Sequence, residues 1–94
     1  MTLLIVTATP QDPEAMQAYG ARAGALLVAA GGELLSRGRV TDRIAGEPEG
    51  MSMVMRFPDA DAVKGVFGSE AYAELLPLRE RAFSSLNIAV AEEV

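Results

Sequence analysis

Residues 57–79 read FPDADAVKGVFGSEAYAELLPLR, and the punctuation within this stretch decides how the chain folds. Phe57-Pro58 leaves an extended segment, and Asp59 can accept hydrogen bonds from the free N–H groups that open a helix. Val63, Val66 and Phe67 then fall at helical spacing and form an inward side over Ala60 to Phe67. Gly68 ends that helix. Ser69 caps a second one, and Glu70 sits where the positive end of the helix dipole favours an acid. Tyr72, Leu75 and Leu76 continue the apolar stripe. Pro77 has no N–H and disfavours helical geometry at Leu76, which predicts a new start with Pro77 in its first turn. Leu78, Arg79, Ala82 and Phe83 follow. The stretch is a helix in pieces rather than one rod.

Upstream, Met51 to Phe57 (MSMVMRF) alternates cleanly. Met51, Met53, Met55 and Phe57 share one face, and Ser52, Val54 and Arg56 share the other. The methionine row reads as core beneath helices, because thioethers fill irregular gaps and no histidine or cysteine stands by to hold a soft metal. The turn GEPEG (residues 46–50) makes this strand the hairpin partner of ELLSRGRVTDRIA (residues 33–45). There Leu34, Ser36, Gly38, Val40, Asp42 and Ile44 alternate loosely with Glu33, Leu35, Arg37, Arg39, Thr41 and Arg43. One side is strongly polar, as on a strand near a sheet edge, and Gly38 marks a bulge.

Asp12-Pro13-Glu14 opens an earlier helix whose stripe is Met16, Tyr19, Ala23, Leu26, Leu27 and Ala30. Gly20, Ala23 and Gly24 narrow its middle for close packing on a sheet, and Gly31-Gly32 stops it. Thr2 to Thr9 (TLLIVTAT) reads as a strand buried on both faces, and Asn87 to Ala91 (NIAVA) as the final strand. The order is strand, helix, strand, strand, helix, strand. It specifies an α+β, ferredoxin-like βαββαβ domain spanning residues 1–94: a four-stranded antiparallel sheet with both helices on one face. The other face draws on Leu4/Val6/Ala8, Ser52/Val54/Arg56 and Asn87/Ala89/Ala91, or their alternates. That much apolar surface calls for a cover, and a homodimer through the open sheet face is the expected partner.

Composition narrows the function classes. The 94 residues are 50% hydrophobic, carry a net charge of −5 and include neither cysteine nor histidine. Disulfides, thiolate chemistry, imidazole ligands and a histidine base are excluded. The one basic cluster, Arg37, Arg39 and Arg43, reads as solvated side chains on an exposed strand, so nucleic acid is not an expected partner. Leu3 to Ala8 is too short for a signal-peptide core and no stretch reaches the length of a membrane span, which sets the expectation of a cytoplasmic protein with no membrane partner. Asp12, Asp59 and Asp61 are scattered caps, so neither a metal nor another cofactor is expected.

The chain resembles the bacterial proteins grouped as domain-of-unknown-function family 1330, within the dimeric α/β-barrel superfamily. The likeness covers nearly the whole chain. It rests chiefly on Ser69-Glu70-Ala71-Tyr72 followed by Leu76-Pro77-Leu78-Arg79, with Asp12-Pro13-Glu14, Tyr19, Gly31-Gly32 and Phe57-Pro58 in support. The resemblance implies a ferredoxin-like protomer and a homodimer, and no established reaction. Two positions depart from the family's habit: Phe67 stands where relatives often carry tryptophan, and Arg56 where they often carry an acid. Cofactor-free monooxygenases, isomerases and haem-degrading enzymes share the wider superfamily. Several depend on a histidine, so their mechanisms do not carry over to a chain without one.

Four residues are candidate ligand contacts: Tyr19, Arg56, Tyr72 and Arg79. Tyr72 and Arg79 are seven apart, two helical turns. In one reading they meet at the mouth of a cleft between sheet and helices and hold a carboxylate or enolate, since arginine offers a two-pronged donor. In the other, Arg79 pairs with Glu70, Asp59 or Glu14 to pin the broken helix. Tyr19 is either core or ligand contact. Arg56, facing the dimer interior, needs a partner, with Asp42, Glu33 or a bound anion available. Ser69 reads as a cap rather than a nucleophile. No catalytic residue is assigned. The expected function is binding of a small apolar or acidic metabolite in the cleft, or alternatively a non-catalytic structural homodimer.

Overall fold

A computed structural model describes residues 1–94. The chain runs β1 (Thr2–Pro10), α1 (Pro13–Ala29), β2 (Glu33–Arg39), β3 (Met51–Phe57), α2 (Ala60–Phe67), α3 (Glu70–Ala73), α4 (Leu76–Ala82) and β4 (Phe83–Glu92). The strands form one antiparallel sheet in the order β2-β3-β1-β4. This is the ferredoxin-like βαββαβ fold, with its second helix broken into three. No helix is long and apolar enough to cross a membrane.

The caps act as their chemistry requires. The Asp12 carboxylate accepts from the N–H groups of Glu14 and Ala15, and Asp59 accepts from Ala62 N. Gly31 turns out of α1 at φ +95°, a conformation that costs other residues a Cβ clash. Gly32 lies against the sheet so closely that a Cβ there would sit 2.6 Å from Phe57 Cζ and 2.8 Å from the Leu27 carbonyl oxygen. Gly20 and Gly24, expected to narrow α1 for packing, do not: a Cβ on either meets nothing within 4 Å. Ala23 is the small residue that packs.

Register fixes the faces. Leu4 pairs with Met55 and Val90, so these side chains share the side that α1 and α2 cover. There Leu4, Leu27, Met55, Phe57, Val63 and Val66 form one buried cluster. A second, between α1 and the α3–α4 pieces, holds Ala15, Tyr19, Ala23, Tyr72, Leu75 and Ala82. Leu3 pairs with Arg56 and Ala91 on the opposite face, which no helix covers. From β1 this open face therefore takes Leu3, Ile5 and Thr7 rather than Leu4, Val6 and Ala8. β1 is half-buried there rather than buried on both sides.

Three further expectations are corrected. The strand expected over residues 33–45 ends at Arg39, because β2 is an exposed edge and nothing covers the polar residues beyond it. The connection to β3 is held by Val40 N–H on the Gly50 carbonyl and by the Glu49 carboxylate, which accepts from the hydroxyls of Thr9 and Ser85. The bulge falls between Leu34 and Ser36, while Gly38 pairs regularly with Ser52. The extra residue reverses the alternation beyond it, so Arg37 pairs with Met53. Lastly, β4 begins at Phe83, directly after α4, instead of near Asn87.

Arg56 and Glu93 close the open face at one end. The guanidinium donates through Nε and Nη2 to the two carboxylate oxygens at 3.0 and 2.7 Å, and Glu33 lies 3.7 Å from Nη1. This two-pronged bond holds the Glu93 carboxyl below the usual carboxylate range and raises Arg56.

Two measurements check these contacts. Gly32→Ala is expected to lose about 1–3 kcal/mol in chemical denaturation, since a backbone carbonyl is among the atoms that would have to move. Glu93 titrates lower in the folded chain, so its contribution is present above the ordinary value near 4.5 and is lost as pH falls through the lowered one. Glu93→Gln should therefore lower the melting temperature at pH 7 and leave it close to the parent's at strongly acid pH. An equal gap at both would rule the pairing out as the cause.

Candidate functional site

The breaks in the helix layer leave an open cleft of about 420 Å³ between α2–α4 and the helix-side face of β4. Val63, Phe67, Tyr72, Leu76, Ile88 and Val90 supply its apolar walls. Ser69, Arg79 and Lys64 are its polar lining. Leu76 was expected on the inward stripe. It is instead 37% exposed and lines the cleft, with α3 ending at Ala73 and α4 starting anew at Leu76.

Tyr72 sits at the back of this cleft because two local signals put it there. Gly68 stops α2, and the Ser69 hydroxyl donates to Val66 O at 2.7 Å while accepting from Tyr72 N at 3.1 Å. Ser69 is thus committed to capping, with its only proton already placed. The Tyr72 ring is held edge-on by Phe67 at 4.8 Å and by Tyr19 at 6.3 Å, and Tyr19 in turn meets Phe83 at 5.5 Å.

The hydroxyls of Tyr19 and Tyr72 lie 2.7 Å apart, and Arg79 Nη1 donates to the Tyr72 oxygen at 3.0 Å. The Arg79 guanidinium also stands 5.8 Å from the centre of the Tyr72 ring. Three of the four candidate residues therefore form one chain, Tyr19–Tyr72–Arg79, although Tyr19 stands behind the cleft wall rather than in it. Burial, reinforced by the hydrogen bond to Tyr72, pushes the Tyr19 hydroxyl far above its ordinary value, so it stays protonated. Arg79 makes no ion pair: Glu70, Asp59 and Glu14, the partners proposed for a purely structural role, do not bridge to it. Arg79 is half-buried, whereas the other arginines without an acidic partner are exposed.

Arg56 stands apart. It projects from the other face of the sheet and is engaged by Glu93 and Glu33, so the structure does not bring it to the cleft. No three acidic side chains converge as metal binding would need. The walls from β4 were not singled out in the sequence. Their signal was the alternation of Leu86, Ile88 and Val90, the set opposite to the one assigned to the open face.

The fold is shared with solved structures at low identity. A protein of unknown function from Rhodopseudomonas palustris superimposes with a TM-score of 0.84 at 17% identity, over 99% of this chain and 82% of that one. A dimeric protein of unknown function and ferredoxin-like fold from Bacteroides fragilis aligns over 98% and 95% at 15% identity and a TM-score of 0.63. SnoaB, a cofactor-independent oxygenase from Streptomyces nogalater, aligns over 99% and 92% at 11% identity and a TM-score of 0.71. No functionally curated protein matches the sequence. The profile of the domain of unknown function DUF1330 matches residues 1–94 throughout, and the chain belongs to that family.

Proposed function

We propose that this protein is a homodimer, joined through the open sheet face, in which each protomer binds a small apolar or acidic metabolite in the cleft between α2–α4 and β4. The observation that carries this reading is Arg79. A half-buried guanidinium without a carboxylate partner lines a mostly apolar hollow, and such a charge is stabilised by an anion entering beside it. The volume, about 420 Å³, falls within the range of small-molecule sites. Tyr72 and Arg79 orient the ligand, with Tyr19 supporting Tyr72. Arg56 acts instead at the dimer face, where its pairing with Glu93 and Glu33 neutralises a charge that association would bury.

The dimer reading is supported by the half-buried Leu3, Ile5 and Val54 of a face that no element covers. The fold neighbour from Bacteroides fragilis, described as dimeric, adds to it. A second functional reading, a structural homodimer without ligand, is favoured by one feature. The Tyr19–Tyr72–Arg79 chain ties α1, α3 and α4 together whether or not anything binds.

Light scattering coupled to size exclusion should give twice the 9.9 kDa protomer mass at micromolar concentration. Val54→Arg should weaken association roughly 100-fold by placing a charge in the interface. A monomeric parent protein would refute the dimer. Thermal-shift screening of carboxylated and neutral metabolites should find acidic ligands that raise the melting temperature of the parent and fail to raise that of Arg79→Met. An Arg79→Met variant that loses dimer stability yet keeps its ligands would remove Arg79 from the binding role, and a parent that no metabolite stabilises would favour the structural reading.

A further inference from the structure

The direction of the hydrogen bonds in the Tyr19–Tyr72–Arg79 chain specifies more than the presence of the cleft. A guanidinium has no acceptor, so Arg79 donates to the Tyr72 oxygen and the polarity of that bond is fixed. Between two phenols one donates and the other accepts. Tyr19 is 9% exposed, and its hydroxyl has no hydrogen-bond partner other than Tyr72. If Tyr72 donated to Tyr19, the Tyr19 proton would be left behind the cleft wall, out of reach of any acceptor or ligand, whereas Tyr72 lines the cleft. Tyr19 therefore donates. The Tyr72 oxygen then accepts twice, and its own proton has no acceptor anywhere in the chain. That proton belongs to a side chain that lines the cleft and is 3% exposed, so bulk water serves it poorly.

We infer that the Tyr72 hydroxyl is the hydrogen-bond donor to the ligand, that Tyr19 is a positioning residue which forces this polarity, and that the site therefore selects apolar molecules carrying an oxygen acceptor, carboxylates or enolates above all. The inference rests on the cleft being a binding site, as proposed above. It adds a criterion that volume and charge do not supply. A ligand of the same shape that offers no acceptor leaves the Tyr72 proton unpaired. Arg79, on the same wall, adds its charge for acceptors that are anionic. The apolar walls at Phe67, Leu76, Ile88 and Val90 take the body of the molecule.

Three isosteric probes separate these contributions: 2-naphthoate, an anionic acceptor; 2-acetylnaphthalene, a neutral acceptor; and 2-ethylnaphthalene, which has no acceptor. Affinities are read from amide chemical-shift titration of the parent protein, Tyr72→Phe, Tyr19→Phe and Arg79→Met. In the parent the order should be naphthoate, then acetylnaphthalene, then ethylnaphthalene, with the neutral pair differing roughly five- to tenfold. Tyr72→Phe should erase the difference within the neutral pair and leave ethylnaphthalene binding unchanged. Tyr19→Phe should shrink that same difference severalfold, a change in ligand ranking that lost packing alone would not produce. Arg79→Met should remove only the extra affinity of naphthoate. Equal affinity of the two neutral probes in the parent, which needs no variant to fold, overturns the donor assignment while leaving the cleft as a binding site. Absence of any shift around residues 63–79 with all three probes overturns the cleft reading itself.

Discussion

The helix between β3 and β4 cannot be continuous, and most of what distinguishes this molecule follows from that constraint. Gly68 gives no support to a continuing helix, Ser69 offers the next three residues a cap, and Pro77 denies the chain a donor one turn further on. A straight helix over the same residues would lay a single apolar stripe on the sheet. Broken after Phe67 and again after Ala73, it cannot do so. Val63 and Val66 still serve the sheet-side core, but Tyr72 and Leu75 are redirected toward α1, and Leu76 is left at the surface. The redirection leaves β4 uncovered at Ile88 and Val90 and brings the Tyr72 hydroxyl under Arg79. The cleft is what remains when a helix is prevented from covering its share of sheet.

The two buried clusters divide the labour. The sheet-side cluster is aliphatic apart from Phe57 and contains no polar atom that needs a partner. The cluster between α1 and the α3–α4 pieces includes two tyrosines, and each brings a hydroxyl that must be satisfied. Tyr19 bonds to Tyr72, and Arg79 reaches the same oxygen from the cleft side. Polar chemistry is thus confined to the part of the core that touches the hollow.

Much of this architecture was legible in the chain because it is written in local chemistry. Asp12, Asp59, Ser69 and Pro77 each occupy the helix-end position their side chains suit, and the break after Phe67 lies where the glycine predicts. What was not legible depended on pairing across the sheet. The bulge at Leu35 rather than Gly38 follows from how β2 registers against β3, and one residue of offset exchanges the faces of everything beyond it. The same ambiguity concealed Ile88 and Val90 as cleft walls and left open whether Leu4, Val6 and Ala8 or their alternates meet the helices. At the site, the seven-residue spacing of Tyr72 and Arg79 announced a pair. The contact between Tyr19 and Tyr72, 53 residues apart, could not be read from spacing at all.

The end of α4 is arranged in an unusual way. No glycine stops it, and no loop separates it from β4. Its final carbonyls are taken up instead by a residue distant in sequence: Gln11 N–H donates to Ala82 O at 2.9 Å, and the Gln11 side-chain amide reaches the carbonyls of Glu80, Arg81 and Phe83 at 3.2–3.3 Å. These contacts span 69–72 residues of chain. Apart from the Phe83 N–H on Arg79 O, the contacts at this helix end exist only where β1 and β4 are paired. Closing so large a loop is an entropic barrier that comes before the reward of any strand pairing. The last helix, the two outermost segments in sequence and the wall of the cleft should therefore form in one concerted event. A folding intermediate with a finished helix layer but an unpaired β4 would lack the contact that tells α4 where to end.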